Sequence, residues 1–149
     1  ERFCRGLGAD LIINYKTQNF KDVIIDAWGQ SPLSDVLDMV GAPYFQDHIE
    51  LLKKGGRHVT IAMLEGAKAS HDLRAVLKKN LTITGSTLRP RSLEEKQKLR
   101  DEIIKNLSTA LNSKAIIPHI SHQFPLENAA QAHEAMKQSA HMGKIVLIP

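Results

Sequence analysis

The sequence predicts an α/β fold, in which part of a doubly wound parallel sheet is followed by a smaller α+β segment. Up to about residue 88, short apolar runs rich in β-branched residues alternate with amphipathic helical segments. Strands separated by helices of this length pair in parallel through right-handed crossovers. After residue 88 the pattern changes to one long charged helix and a strand–helix–strand ending. A boundary near residue 88 is therefore predicted.

The predicted strands of the first part are apolar runs closed by turn residues. They cover residues 11–15, 35–40, 58–63 and 81–86. Such continuous apolar runs favour burial on both faces of the sheet, as is usual for parallel strands. Two further extended segments are predicted at 119–124 and 144–148.

The predicted helices follow from apolar periodicity and from capping residues. Asn19 is a candidate N-cap for the second helix, since its side chain can accept from the first free backbone N–H groups. Ser92 and Glu95 form a capping box at the start of the long charged helix. The helices cover about 1–8, 19–28, 44–54, 71–79, 93–113 and 126–138.

Composition and charge exclude several classes of protein. Of the 149 residues, 42% are hydrophobic and 24% charged, which predicts a soluble globular protein. No apolar run reaches the roughly 18 residues that a membrane span needs. The single cysteine, Cys4, excludes an internal disulfide and favours a cytoplasmic location. The net charge of +4 is scattered over different elements, so a solvated surface is favoured over a nucleic-acid interface.

The sequence shows no motif typical of a catalytic or a metal-binding site. His119 and His122 are separated by three positions, but no third ligand lies nearby in sequence, so no metal site is predicted. The sequence also lacks a His-Glu-x-x-His motif, a Gly-x-Ser-x-Gly elbow and a phosphate-binding Walker loop.

Three stretches of the sequence are informative when their order and spacing along the chain are considered together. The segment Gly85-Ser86-Thr87-Leu88-Arg89 lies between the second and the third. The three stretches are Leu7-Gly8-Ala9-Asp10 with Ile13-Asn14-Tyr15; Asp38-Met39-Val40-Gly41 with Leu51-Leu52 and Gly55-Gly56-Arg57; and Ala132-His133-Glu134-Ala135-Met136 with Gly143-Lys144-Ile145-Val146-Leu147. Taken together, they resemble the zinc-free quinone oxidoreductase branch of the medium-chain dehydrogenase/reductase superfamily, over essentially the whole chain.

The resemblance implies how the chain is organised. Residues 1–88 would be the rear part of a Rossmann-like dinucleotide-binding domain, and residues 89–149 the C-terminal segment of the catalytic domain. The glycine-rich phosphate-binding turn and the N-terminal catalytic lobe are expected upstream of Glu1, which is not preceded by a Met. The chain is therefore expected to be a C-terminal portion of the enzyme that is inactive alone, with no catalytic residue and no metal ligand of its own.

The resemblance also implies a set of cofactor-binding residues, because ligands of parallel sheets bind beyond the carboxyl ends of the strands. Tyr15 would lie at the adenosine end, with a surface Tyr at a sheet edge as the alternative. Residues 86–88 would contact the nicotinamide ribose and carboxamide, with an ordinary turn as the alternative. His141 stands where the family usually has Asn, which puts a direct contact of its ring in doubt. The full predicted set is Tyr15, Val40, Gly41, Met63, Leu64, Ser86, Thr87, Leu88, His141, Gly143 and Lys144.

By the same resemblance, the parent enzyme is expected to bind NADPH and to transfer its hydride to a quinone or an enone. A homodimer formed through the edge strand at 81–85 is expected, with no nucleic-acid or membrane partner. Two alternatives stay open. One is an enoyl reductase or alcohol dehydrogenase of the same superfamily, and the other is a non-enzymatic binding module that kept the fold.

Overall fold

The computed structural model describes residues 1–68, 70–138 and 141–149. The chain divides into two compact units, Glu1–Pro90 and Arg91–Pro149. Each unit is α/β with parallel strand pairing, so the predicted fold class is confirmed. The functional roles predicted for the two parts of the chain remain predictions.

The first unit contains a three-stranded parallel sheet in the order β1-β2-β3. In register, Val36 lies beside His58, and His58 lies beside Ile83. Helices connect the strands, as the alternating sequence pattern predicted. The elements are α1 (Arg2–Gly6), α2 (Phe20–Trp28), β1 (Leu33–Asp38), α3 (Ala42–Leu51), β2 (Leu52–Thr60), α4 (Arg74–Lys79) and β3 (Thr82–Gly85).

The strand predicted at residues 11–15 is wrong. Residues 11–14 have no regular secondary structure, and Tyr15 begins a turn. A strand requires a hydrogen-bonded neighbour, and none of the described strands pairs with this segment. Its apolar, β-branched composition was therefore insufficient to make it a strand.

The boundary between α3 and β2 also differs from the prediction. The helix ends at Leu51, not near residue 54, and β2 begins at once with Leu52. Leu52 pairs with Leu33, whereas the next pair joins Asp35 to Arg57, so the pairing is interrupted by a bulge at Lys53–Gly56. Gly55 has a φ of 76° there, a conformation that glycine adopts without steric cost.

The core of the first unit lies on one face of the sheet. Ile49, Leu51 and Leu52 are fully buried, and α3 packs against the face that carries His58. Successive side chains of a strand point to opposite faces. Leu37 is 66% exposed, whereas Asp38, its neighbour in β1, is only 3% exposed. The expectation of burial on both faces is therefore wrong for the described chain, because the described helices cover only one of them.

Two lysines link elements of the first unit that are distant in sequence. The Lys79 ammonium donates to the carbonyl oxygens of Glu50 (2.7 Å) and Leu52 (2.9 Å) at the C-terminal end of α3, and to Ser31 Oγ (2.8 Å). The Lys21 ammonium in α2 pairs with the carboxylates of Asp47 and Glu50 in α3. These charged groups fix α2 and α4 against α3.

The second unit contains α5 (Leu93–Asn112), β4 (Ile120–Pro125), a 3₁₀ turn (Leu126–Asn128), α6 (Ala129–Lys137) and β5 (Lys144–Ile148). The predicted capping box is confirmed, because Ser92 Oγ accepts from Glu95 N and the Glu95 carboxylate accepts from Ser92 N. Strands β4 and β5 pair in parallel, and α6 packs on them through the buried Ala132. None of the described helices is both long and apolar enough to span a membrane.

Candidate functional site

The candidate site lies at the carboxyl edge of the first sheet. Because β1, β2 and β3 are parallel, the segments that follow Asp38, Thr60 and Gly85 emerge at the same edge. Backbone hydrogen bonds continue beyond the strand ends, from Ile61 N to Asp38 O (2.8 Å) and from Ser86 N to Thr60 O (3.0 Å). The three strand-end segments therefore form one connected rim.

Two cavities open along this rim. The larger has a volume of about 470 Å³ and lies between the ends of β2 and β3. The smaller, of about 230 Å³, lies between the end of β1 and the start of α3. Thr60 and Met63 line both cavities. The larger is otherwise lined by Ile61, Ala62, Gly85, Ser86 and Thr87, and the smaller by Asp38, Gly41, Ala42, Phe45, Gly66, Ala67 and His71.

The turn after β1 is held by the carboxylate of Asp38. Its oxygens accept from Val40 N (2.8 Å) and from Gly41 N (3.2 Å). Burying a carboxylate is costly unless hydrogen bonds offset the loss of water. Strand β1 therefore ends at Asp38, two residues before the predicted end, because its carboxylate binds the backbone of the following turn.

Gly41 is required by the protein's own backbone at this turn. Its φ is 97°, and a Cβ at this position would lie 2.5 Å from the carbonyl oxygen of Gly66. The same carbonyl accepts from Ala42 N (2.9 Å). The packing of the 63–66 loop thus accounts for glycine at position 41 without any ligand, so a cofactor contact there stays a prediction.

Tyr15 lies at the start of α3 although it does not end a strand. It is exposed and lines a third cavity, of about 240 Å³, together with Pro43 and Tyr44 in the first turn of that helix. Because α3 begins directly after the turn that follows β1, this cavity is close to the rim. The structure therefore brings together, in the first unit, Tyr15, Val40, Gly41, Met63, Leu64, Ser86 and Thr87, with the exposed Leu88 following.

The other predicted residues belong to the second unit, in the segment that leads into β5. Gly143 has a φ of 86°, and a Cβ there would collide with the carbonyl oxygen of His119. Lys144 N donates to the same oxygen (2.8 Å). His141 is partly buried, and its Nδ1 has no hydrogen-bond partner within the described residues. Glycine at position 143 is thus explained by the local backbone, and the cofactor roles of His141, Gly143 and Lys144 stay predictions.

A buried group that sequence reasoning missed lies beside the smaller cavity. Asp38, His48 and His58 come from β1, α3 and β2, and one ligand atom of each lies within 4.8 Å of the others. Burial lowers the pKa of His48 and His58 below the ordinary value for histidine, and the nearby Asp38 carboxylate opposes this shift. The sequence signal for this cluster was His58, which begins the largely apolar run predicted as a strand at residues 58–63.

Comparison with known proteins identifies the family. Residues 7–147 match the family model described as "Zinc-binding dehydrogenase". The chain belongs to this family. Among curated proteins, it is 28% identical over 144 residues to quinone oxidoreductase from Rattus norvegicus and 30% identical over 149 residues to 2-haloacrylate reductase from Burkholderia sp. These matches cover 95% and 97% of this chain, but only 41% and 44% of the relatives.

Solved structures show the same fold. An NAD-dependent alcohol dehydrogenase superposes with a TM-score of 0.78 and 26% identity, covering 99% of this chain and 40% of the other. A mycobacterial protein complexed with NADPH superposes with a TM-score of 0.75 and 24% identity, covering 99% and 45%. The resemblance to quinone oxidoreductases found in the sequence is thus confirmed, and the chain spans less than half the length of these relatives.

Proposed function

We propose that this chain supplies part of the nicotinamide-dinucleotide site of an NADPH-dependent oxidoreductase that transfers hydride to a quinone or an enone. The observation that carries the proposal is the cavity of about 470 Å³ at the carboxyl edge of three parallel strands. Sites of this kind in open α/β sheets bind ligands outside the strand ends. The volume also lies within the range of roughly 300–1,000 Å³ that is common for small-molecule sites.

The residues around this cavity suit a role in orienting the cofactor. Its walls combine apolar side chains, such as Ile61 and Met63, with the hydroxyl and backbone groups of Ser86 and Thr87. Such groups can fix the carboxamide of a nicotinamide ring and so its orientation. When bound, the nicotinamide cofactor supplies the hydride chemistry. Under this proposal Val40, Gly41, Leu64 and Leu88 border the same ligand along the rim, and Tyr15 lies by its adenosine end.

The cofactor and acceptor are proposed from the relatives. A structural neighbour was solved with NADPH, and relatives include quinone oxidoreductases and 2-haloacrylate reductase. In a quinone and in an enone alike, a carbon–carbon double bond is conjugated to a carbonyl group. The same hydride donor can therefore reduce either compound. His141, Gly143 and Lys144 are proposed as cofactor-binding residues on the resemblance alone. A cytoplasmic location is likewise proposed.

Calorimetric titration of the chain with NADPH tests the cofactor site. Ala62→Phe adds bulk to the cavity wall and should raise the Kd for NADPH at least about tenfold, equivalent to 1.4 kcal/mol. Ala130→Phe, on an exposed position of α6, is the matched control and should leave the Kd unchanged. If both variants bind NADPH with the Kd of the unchanged chain, the proposed site is wrong. If the unchanged chain binds no NADPH, either the non-enzymatic alternative is favoured or the site needs the phosphate-binding turn expected upstream.

A second measurement tests where the catalytic groups lie. The chain should bind NADPH without oxidising it when a quinone or an enone is added, because no catalytic residue is expected in it. The absorbance of NADPH reports this directly. Steady oxidation that depends on the acceptor would show that the chain carries its own catalytic groups.

We also propose that β3 forms a homodimer contact. In the described sheet β3 is an edge strand, and its unpaired backbone groups can bind the same strand of a second copy. Sedimentation should show a dimer that Ile83→Pro weakens, since proline removes a backbone donor that faces away from β2. A monomer at high concentration would refute the contact.

A further inference from the structure

Three side chains from separate elements converge beneath the smaller rim cavity. His48 Nδ1 lies 3.3 Å from His58 Nε2, and His58 Nε2 lies 3.7 Å from Asp38 Oδ2. His58 is completely buried and Asp38 is 3% exposed, whereas His48 is partly buried. Nitrogen and carboxylate ligands in this combination are typical of zinc and related divalent transition metals.

We propose that Asp38 Oδ2, His48 Nδ1 and His58 Nε2 bind a divalent transition-metal ion of the zinc class, with one coordination position left for water. Bonds of about 2.0–2.1 Å at a tetrahedral zinc place two ligand nitrogens about 3.3–3.4 Å apart. The observed separation of the two histidine nitrogens is 3.3 Å. Asp38 Oδ2 lies 3.7 Å from His58 Nε2, and the three ligand atoms lie within 4.8 Å of one another, so the carboxylate must move closer to complete the set.

Hydrogen bonds already orient two of the ligands. His58 Nδ1 lies 3.4 Å from Thr60 Oγ1, so a proton on Nδ1 leaves Nε2 with the lone pair that a metal needs. Val40 N and Gly41 N donate to the Asp38 carboxylate, at 2.8 Å and 3.2 Å, and fix its position. Metal ligands in proteins are usually positioned by such outer contacts.

The charge around the cluster favours a cation. Within the described residues, no lysine or arginine forms an ion pair with the buried Asp38. A divalent ion would supply the positive charge that the carboxylate lacks.

The cavity provides a route for the ion. Asp38 and Thr60 both line the space of about 230 Å³, which is open to solvent. His71 lines the same space, and its buried Nδ1 has no hydrogen-bond partner within the part of the chain described. A solvent-open cavity of this size with polar groups in its wall can hold water, so the fourth position of the ion would face a hydrated space.

The rival explanation is a hydrogen-bonded chain without metal. In that case His58 Nε2–H would be shared between the Asp38 carboxylate and His48 Nδ1, and the three groups would stabilise one another only. Both explanations fit the same interatomic distances, but only the metal site predicts a stoichiometric and selective response to added metal.

The test is a metal titration of the chain after treatment with a chelator. Calorimetry with Zn²⁺ should show one ion bound per chain, and Co²⁺ should give the intense visible bands of a tetrahedral complex with nitrogen and oxygen ligands. His48→Gln and Asp38→Asn should each weaken binding by more than the roughly 10–100-fold that loss of an outer contact causes. Thr60→Val, which removes only the contact to His58, should weaken it by about 10–100-fold.

His133→Gln is the matched control, because His133 lies exposed on α6 in the other unit. It should bind both metals like the unchanged chain. Circular dichroism checks that each variant is folded. His48→Gln and Thr60→Val keep the test valid if Asp38→Asn, at a buried position, prevents folding. Octahedral Co²⁺ spectra in the unchanged chain, or equal Zn²⁺ affinity in His48→Gln, would overturn the proposal and leave the hydrogen-bonded chain.

Discussion

The two units of this chain are stabilised in different ways. In Glu1–Pro90, a buried apolar cluster and buried polar groups join elements that are distant in sequence, such as Lys79 with the end of α3. In Arg91–Pro149, Ala132 is the buried apolar residue among those described, and the long α5 is supported by its own capping box. The comparison shows that helix-forming signals in the sequence are sufficient for α5, whereas the rim of the first sheet depends on tertiary contacts.

The largest expected effect is the loss of stability when a buried side chain of the first unit is shortened. It tests the difference in packing between the two units. Ile49→Ala removes a fully buried side chain and should lower the free energy of unfolding by about 2–5 kcal/mol. Ile103→Ala on α5, where the side chain is 52% exposed, should change it by no more than about 0.5 kcal/mol. Urea denaturation measures both. Similar losses in the two variants would show that α5 is packed in solution and would remove the contrast.

The next effect concerns the Lys79 ammonium at the C-terminal end of α3. Lys79→Met keeps the length of the side chain but removes its hydrogen bonds to backbone carbonyls and to Ser31. We expect a loss of about 1.5–3 kcal/mol, the usual worth of hydrogen bonds to a charged group. Lys78→Met, the exposed neighbour, is the control. If the two variants are equally stable by thermal denaturation, Lys79 does not stabilise the end of α3.

A smaller effect is expected at the start of α5. Ser92→Ala removes the N-cap hydroxyl and should destabilise the helix by about 1 kcal/mol. Ser113→Ala, at the other end of the helix, serves as the comparison because N-cap hydroxyls contribute more than C-terminal ones. Far-ultraviolet circular dichroism during denaturation reports the loss of helix. Equal destabilisation by both variants would argue against the capping box.

The smallest effect is the pH dependence of the same cap. Hydrogen bonds from Ser92 hold the pKa of Glu95 below its usual value. The contribution of Glu95 is therefore complete above its unfolded pKa, and it is lost as the pH falls through the lower folded pKa. As the pH falls through this acidic range, the Glu95→Gln variant should lose helicity less steeply than the unchanged chain. Parallel acid titrations of helicity in the two proteins would disprove the coupling.

Much of the fold was predictable because local sequence determines it. Asn19, Ser92 and Glu95 were predicted as capping residues, and each makes the expected hydrogen bonds. The last strand begins and ends where predicted, at Lys144–Ile148. The errors lie where a partner decides the outcome. Residues 11–15 lack a strand beside them, and α3 gives way to β2 at Leu52 because that residue pairs with Leu33.

The candidate site was predictable only in part. Parallel topology was sufficient to place residues 40–41, 63–64 and 86–88 along one rim, since the carboxyl ends of parallel strands share an edge. The reasons for individual residues were not predictable. Gly41 is explained by the approach of Gly66, and Asp38 by the backbone of its own turn, and both are contacts across a loop.

The sequence by itself determined the alternation of strands and helices, the capped helices and the resemblance to a dehydrogenase family. These features depend only on the order and spacing of residues along the chain. The tertiary structure alone decided which face of the sheet is buried. It also brought Asp38, His48 and His58 within reach of one another. The reason is geometric: residues ten or more positions apart, on a helix and two strands, meet only when α3 packs on the sheet.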